Sequence, residues 1–190
     1  ITMVPHYSTI VGFTQEELEK NFKDGIQGIA ESNQISYQEA LSKLKVLYDG
    51  YHFSRNSEGV YNPFSVLHAM NTKQLDNFWF ETGTPTYLVE LLKKNDYALE
   101  EIDNTIVGME TLSGIDAADT DPIPVIYQGG YLTIKEFNPR FQSYTLGYPN
   151  KEVEEGFTKF LLPHYTSSRG ARSTFEIQNF VREVEIGDID

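Results

Sequence analysis

Three observations predict a mainly α-helical fold with a small antiparallel β-hairpin. Apolar residues recur at helical spacing behind cap signals along most of the chain. The segment Tyr127-Gln-Gly-Gly-Tyr-Leu-Thr-Ile-Lys135 places a short apolar run, a double-glycine stop and a strand-like stretch in succession. A second strand-like stretch, Tyr144-Thr-Leu-Gly-Tyr-Pro-Asn150, ends at Pro149-Asn150, where a helix can start. Helix, paired strands and helix in that order describe a winged-helix-like module, a part that binds or positions rather than reacts.

The elements follow from the N-terminus. Residues 1–13 are a mixed apolar lead-in with Val4, Pro5, Tyr7, Ile10, Val11 and Phe13. Thr14-Gln-Glu-Glu17 is a capping box, and Leu18, Phe22, Ile26 and Ile29 continue behind it as one helix. Ser36-Tyr-Gln-Glu39 is a second box, with Leu41, Leu44 and Leu47 as the apolar face of an antiparallel partner. Asp49-Gly50 ends that helix, and Tyr51 and Phe53 lead into a polar loop from Ser54 to Gly59. At Asn62-Pro63 the chain restarts a helix, with Asn as N-cap and Pro in the first turn; Phe64, Leu67 and Met70, together with Val66, are expected on its buried side. Thr84-Pro85 repeats this signal before Tyr87, Leu88, Leu91 and Leu92, after the aromatic cluster Phe78-Trp-Phe80.

Residues 96–121 lack a clean period and predict a short helix or strand. Asp121 to Gln128 reads as a short helix with an early proline. In the first strand Tyr131, Thr133, Lys135 and Phe137 are expected on one face, with Leu132, Ile134 and Glu136 on the other. Asn138-Pro139 begins the turn. Val153, Phe157, Phe160 and Leu161 mark a helix that should stop near Pro163. Thr166 to Arg172 reads as a linker, and Ser173-Thr-Phe-Glu176 as a third capping box opening a helix of a further domain. The chain starts without Met and ends just after a helical pattern, so it is expected to be a piece of a longer protein.

Composition narrows the function classes. With 190 residues the chain can bury one sizeable core or two small ones. Twelve Tyr and twelve Phe favour burial over disorder. A net charge of −13 repels phosphate backbones, so nucleic acid is an unexpected partner. There is no cysteine, hence no disulfide and no thiolate metal site, in keeping with a cytoplasmic location. No apolar run reaches the ~20 residues of a membrane span, and no signal-peptide pattern opens the chain.

No catalytic set emerges. No Gly-x-x-x-x-Gly-Lys-Ser/Thr string is present, and Gly129-Gly130 reads as a helix stop rather than a phosphate cradle. His6, His52, His68 and His164 lie far apart, and Asp116, Asp119 and Asp121 lack the glycine and distal Glu of a calcium loop, so no metal site is assigned. No motif frames a nucleophilic Ser, and the acid pairs Glu16-Glu17 and Glu154-Glu155 read as solvated helix faces. As a DNA reader the module is poorly charged. Pro122 to Gln128 holds no Lys or Arg, and the wing sets Lys135 and Arg140 against Glu136. Tyr48-Asp-Gly-Tyr-His-Phe53 and Tyr61-Asn-Pro-Phe-Ser65 stand out for aromatic density beside turn residues, read either as core packing around a loop or as a loop presented to a neighbour.

Six strings in fixed order carry a resemblance. They are Gly12-Phe-Thr-Gln-Glu-Glu-Leu18, Tyr48 to Phe53, Tyr61 to Ser65, Phe80-Glu-Thr-Gly83, Tyr127 to Lys135, and Leu146-Gly-Tyr-Pro-Asn-Lys-Glu-Val153. Together they resemble the predicted AAA-ATPase-like family common in Bacteroides and related anaerobes. Its members carry an N-terminal P-loop ATPase core and a C-terminal PD-(D/E)XK nuclease-like domain. The resemblance implies that residues 1–95 are a helical lid, 96–165 a winged-helix-like module, and 166–190 a linker and first helix toward the nuclease-like domain. The ATPase core and C-terminal domain of the same chain are the implied partners. ATP and Mg are implied for the parent protein, with no cofactor, catalytic residue or metal ligand in this segment. Tyr48, Asp49, Gly50, Tyr51, Tyr61, Asn62, Pro63, Thr82 and Gly83 become candidates for nucleotide-side or interdomain contacts. A DNA-binding winged-helix adaptor is the alternative.

Overall fold

The structure is a computed structural model and describes residues 7–79, 86–97, 102–113 and 121–165. Among them the fold is mainly α with a small antiparallel sheet, as the sequence predicts. The first part holds α1 (Gln15–Asn21), α2 (Lys23–Ser32), α3 (Tyr37–Tyr48) and α4 (Pro63–Thr72). The second runs α5 (Thr86–Lys94), β1 (Thr105–Gly108), α6 (Met109–Ser113), α7 (Ile123–Gln128), β2 (Thr133–Asn138), β3 (Ser143–Gly147) and α8 (Lys151–Tyr165). Its sheet order, β1-β3-β2, is antiparallel throughout. In this part a helix, a strand and two helices precede a hairpin whose second strand also pairs with the first strand.

The cap signals work as their chemistry requires. Thr14 Oγ1 accepts from Glu17 N at 3.2 Å while Glu17 Oε2 accepts from Thr14 N at 3.0 Å, closing the box. Ser36 Oγ accepts from Glu39 N, and Asn62 Oδ1 from Phe64 N with Pro63 opening α4. At the double glycine, Gly130 N donates to Tyr127 O and Tyr131 N to Ile126 O, with Gly130 at φ +79°. That pair of bonds is a Schellman cap, and it explains why glycine stands at the left-handed position.

Five expectations are corrected. The first helix is two, because Phe22 leaves the helical region (φ −120°, ψ 24°) and breaks α1 from α2 while its ring packs on Phe13 at 5.0 Å. Helix α4 buries Ser65, Val66 and Ala69, which turns Phe64 and Leu67 outward; both are exposed. The hairpin gains a third strand, since residues 105–108 pair with β3. The strict alternation in β2 fails at a bulge between Ile134 and Glu136, where Lys135 and Glu136 together oppose Thr145. The extra residue resets the parity, so Ile134 and Phe137 both pack on the same core. Helix α8 also continues through position 163 to Tyr165 instead of stopping at the proline.

Packing divides the molecule. One core gathers Leu18, Ile26, Ile29, Leu44, Tyr48 and Tyr61 from the first part. A second gathers Leu92, Ile126, Leu146 and Phe157, and it includes Leu88 and Val89 of α5. By packing, α5 therefore belongs with the sheet, although it lies within the 1–95 span. A third cluster of Tyr51, Val60 and Val153, flanked by Phe53, Trp79, Tyr131 and Tyr148, joins the two. No helix among the described residues is long and apolar enough to cross a membrane.

Candidate functional site: the junction of the two parts

The strings that the sequence singled out meet at this third cluster. Asp49-Gly50 leaves α3 and runs against the turn before α8, where the Pro149 carbonyl lies against Gly50. Gly50 sits at φ +108°, a conformation that side chains rarely adopt. Tyr51 then pairs with Val60 and Tyr61 with Phe13, so a two-bridge ladder ties the lead-in to the YDGYHF and YNPFS strings.

Polar contacts fasten this ladder to the sheet. His52 N donates to Thr133 Oγ1 at 2.6 Å, and the Thr133 hydroxyl donates to His52 O at 3.0 Å. The side chain of Thr133 thereby acts as one more rung between residues 81 positions apart. Arg55 Nε donates to the Tyr144 hydroxyl at 2.9 Å, with its guanidinium 4.0 Å above the Phe137 ring. His52 Nδ1 lies 2.8 Å from Ser57 O, which fixes the imidazole inside its own loop.

Glu152 is the most telling residue. It stands in the first turn of α8, is fully buried, and receives the Ser65 hydroxyl from α4 at 2.7 Å and Trp79 N at 3.0 Å. Burial pushes its carboxyl above the usual range, while the Ser65 hydroxyl and the backbone donors of Trp79 and Phe78 pull the other way. A carboxylate with donors from two other segments is a polar rivet; removing it strands every donor it satisfies. Asn150 Oδ1 accepts from Val153 N at 3.1 Å and caps the same helix.

Tyr48, Tyr51 and Tyr61 are likewise drawn inward. Burial raises all three hydroxyls well above the ordinary value of 10. Tyr48 OH donates to Asp76 O, and Tyr61 OH donates to Gln15. Beside the rings lies a cleft of about 200 Å³ lined by Tyr51, Phe53, Tyr61, Trp79, Asn62 and Gly130. A second of about 370 Å³ shares Tyr51, Phe53 and Gly130 and reaches His52, Gln128 and Thr133.

Of the candidate residues, Tyr48, Asp49, Gly50, Tyr51, Tyr61, Asn62 and Pro63 are thus brought to one place, whereas Thr82 and Gly83 lie outside the described residues. So do His6, Asp116, Asp119, the proposed linker and the third capping box. Asp121 Oδ1 accepts from Ile123 N at the start of α7. His68 lies between Phe64 and Phe78, at 5.8 and 4.5 Å. Among the described residues no three His, Cys, Asp or Glu side chains gather closely enough to hold a metal ion. Sequence reasoning missed Glu152, Thr133 and Arg55. Nothing in helical spacing marks Glu152 as inward; its only sequence signal is its place inside the Leu146 to Val153 string.

Comparison with known proteins adds one relative. The chain is 29% identical over 170 residues to an uncharacterized protein in the vnfD 5′ region of Azotobacter chroococcum mcd 1, covering 87% of this chain. The chain spans about 30% of that relative's length. No family profile and no solved structure matches.

Proposed function

We propose that this chain is the non-catalytic lid and winged-helix segment of a cytoplasmic AAA-ATPase-like protein, coupling nucleotide state in an ATPase core to a C-terminal nuclease-like domain. One observation carries the reading. The strings Tyr48 to Phe53, Tyr61 to Ser65, Tyr127 to Lys135 and Leu146 to Val153 underlie the resemblance, and they converge on the junction between the helical part and the sheet. A segment that relays a signal needs its two parts to move as one body. Gly50 against Pro149, His52 with Thr133, Arg55 with Tyr144 and Glu152 with Ser65 supply such a union. ATP and Mg belong to the parent's core in this reading, and the segment's partners are the other domains of its own chain.

Calorimetric titration of the 190 residues with ATP and magnesium tests it. No binding is expected. Tight, magnesium-dependent binding would place the nucleotide site on these residues and overturn the reading.

The winged-helix arrangement favours a second reading, a DNA-binding adaptor. Against it, α7 buries Ile123, Pro124 and Ile126 and carries no cation, and Lys135 Nζ turns back to Pro149 O at 3.4 Å. Gel shift at low and moderate salt decides. Binding that weakens steeply with salt would promote the adaptor; none at low salt removes it.

A further inference from the structure

Two arginines at the β2–β3 hairpin carry charges that the chain does not neutralise. Acids outnumber bases 28 to 15, and Lys43, Lys151 and Lys159 accordingly stand 3.4–3.8 Å from glutamates one helical turn away. Arg55 and Arg140 are held by aromatic rings instead. The Arg55 guanidinium lies 4.0 Å above the Phe137 ring, and its Nε donates to the Tyr144 hydroxyl at 2.9 Å. The Arg140 guanidinium lies 5.2 Å from the ring of its neighbour Phe141. Among the described residues neither pairs with a carboxylate, Glu136 of the same hairpin included.

Both are positioned before any ligand arrives. Tyr144, the anchor of Arg55, is fully buried. The loop that carries Arg55 is closed on itself by Ser57 Oγ, which donates to Ser54 O, and is tied to β2 by His52 and Thr133. At the hairpin tip Asn138 Oδ1 accepts from Arg140 N at 3.0 Å and from Phe141 N at 3.3 Å, and Gln142 Nε2 donates to Pro139 O at 2.7 Å. Arg140 follows Phe137 by three residues, which keeps their Cα atoms within about 11 Å.

With Nε engaged and one face stacked, the exposed Arg55 keeps the donors of both terminal nitrogens, in the planar fork that matches an oxyanion. A fork already held in place loses little freedom on binding. The rest of the chain selects the oxyanion. A net charge of −13 opposes a run of phosphates more than a pair of carboxylates, and two cations neutralise too few phosphates to hold a nucleic acid. Phe141, 69% exposed beside Arg140, offers apolar surface that a peptide can cover and a solitary anion cannot.

We propose that Arg55 and Arg140, set on the rings of Phe137 and Phe141, form a docking site for an acidic protein segment whose carboxylates take the two guanidiniums. The site does not depend on nucleotide binding anywhere in a longer protein.

The experiment titrates the isotope-labelled 190-residue chain with an acetylated, amidated hexapeptide of alternating glutamate and alanine, following the Arg55 Nε–H and Phe141 amide signals by NMR. Its glutamine counterpart and a six-nucleotide oligothymidylate are titrated separately. The glutamate peptide is expected to shift both signals saturably below about 10 mM, at least about fivefold more tightly than the glutamine peptide. Arg55→Lys keeps the charge and removes the fork, and is expected to weaken binding at least about fivefold, read at Phe141. No saturable shift up to about 10 mM, or a smaller gap between the two peptides, overturns the proposal. Tighter binding of the oligothymidylate overturns it in favour of a nucleic-acid contact, and undiminished binding by folded Arg55→Lys overturns it too. The three ligands on the unaltered chain decide the matter even if that variant does not fold.

Discussion

Gly50 and Gly130 both occupy left-handed backbone, yet their surroundings differ and so do the expected costs of a side chain. At Gly50 the place of a Cβ is filled by the Pro149 carbonyl, which is backbone and cannot rotate away. At Gly130 the nearest atoms are at 3.6 Å, ordinary contact distance. Gly50→Ala should therefore destabilise by roughly 2–4 kcal/mol through strain plus clash, and Gly130→Ala by about 1 kcal/mol through strain alone. Urea unfolding of the two variants checks the order; equal costs would mean that the Pro149 contact yields. Glu152→Ala should cost more than a surface acid, roughly 2–4 kcal/mol, since it takes the carboxylate acceptor away from the buried Ser65 hydroxyl and from the Trp79 N–H. The same substitution at Glu39, half exposed beside Lys43, should change stability by no more than about 0.5 kcal/mol.

Between elements, the contacts that fasten the YDGYHF loop to the sheet are few and separable. Thr133→Val keeps the shape of the side chain and deletes its hydroxyl, so both bonds to His52 vanish together. A loss of about 1–3 kcal/mol is expected, accompanied by faster hydrogen exchange at His52 N; exchange unchanged at that amide would show that the rung is dispensable. This is also the scale at which the sequence was most and least legible. Caps are local, so Thr14, Asn62 and Gly130 could be read from neighbours within a few residues. The third strand could not, because Thr105 to Gly108 is a strand through pairing with residues about forty positions later. The bulge at Lys135 depends on where β3 places Thr145, and period-two counting has no means of seeing it. Nor does helical spacing on α4 tell which side meets the core: Phe64 and Leu67 are the larger residues, yet Ser65 faces inward because Glu152 awaits it.

Over the whole molecule, burial acts on many tyrosines at once, and this is expected to set the alkaline limit of the fold. Tyr148 is raised from the ordinary 10 to about 12, by burial first and then by Asp103 and Glu154; Tyr48, Tyr51 and Tyr61 are displaced further in the same direction. Folded values above unfolded ones mean that the stabilisation is fully present below pH 10 and is lost as pH climbs from 10 through 12. The urea midpoint should fall steeply over that window, in step with tyrosinate absorbance; a flat midpoint would show that these hydroxyls reach solvent. Glu152 has the same sign at the acidic end. Its share is fully present below its ordinary value of 4.5 and declines above it.

Glu152 has a further consequence, one of timing. During synthesis the ribosome delivers Ser65 and Trp79 long before their acceptor, which follows 87 and 73 residues later. The helical bundle can assemble early from neighbouring contacts, but its open flank has no counterpart until the start of α8 emerges. Closing loops of that length is slow compared with pairing adjacent helices. The union of the two parts is therefore expected late in folding, and a nascent chain halted just before Lys151 should leave Trp79 more open to quenchers than it is in the finished protein.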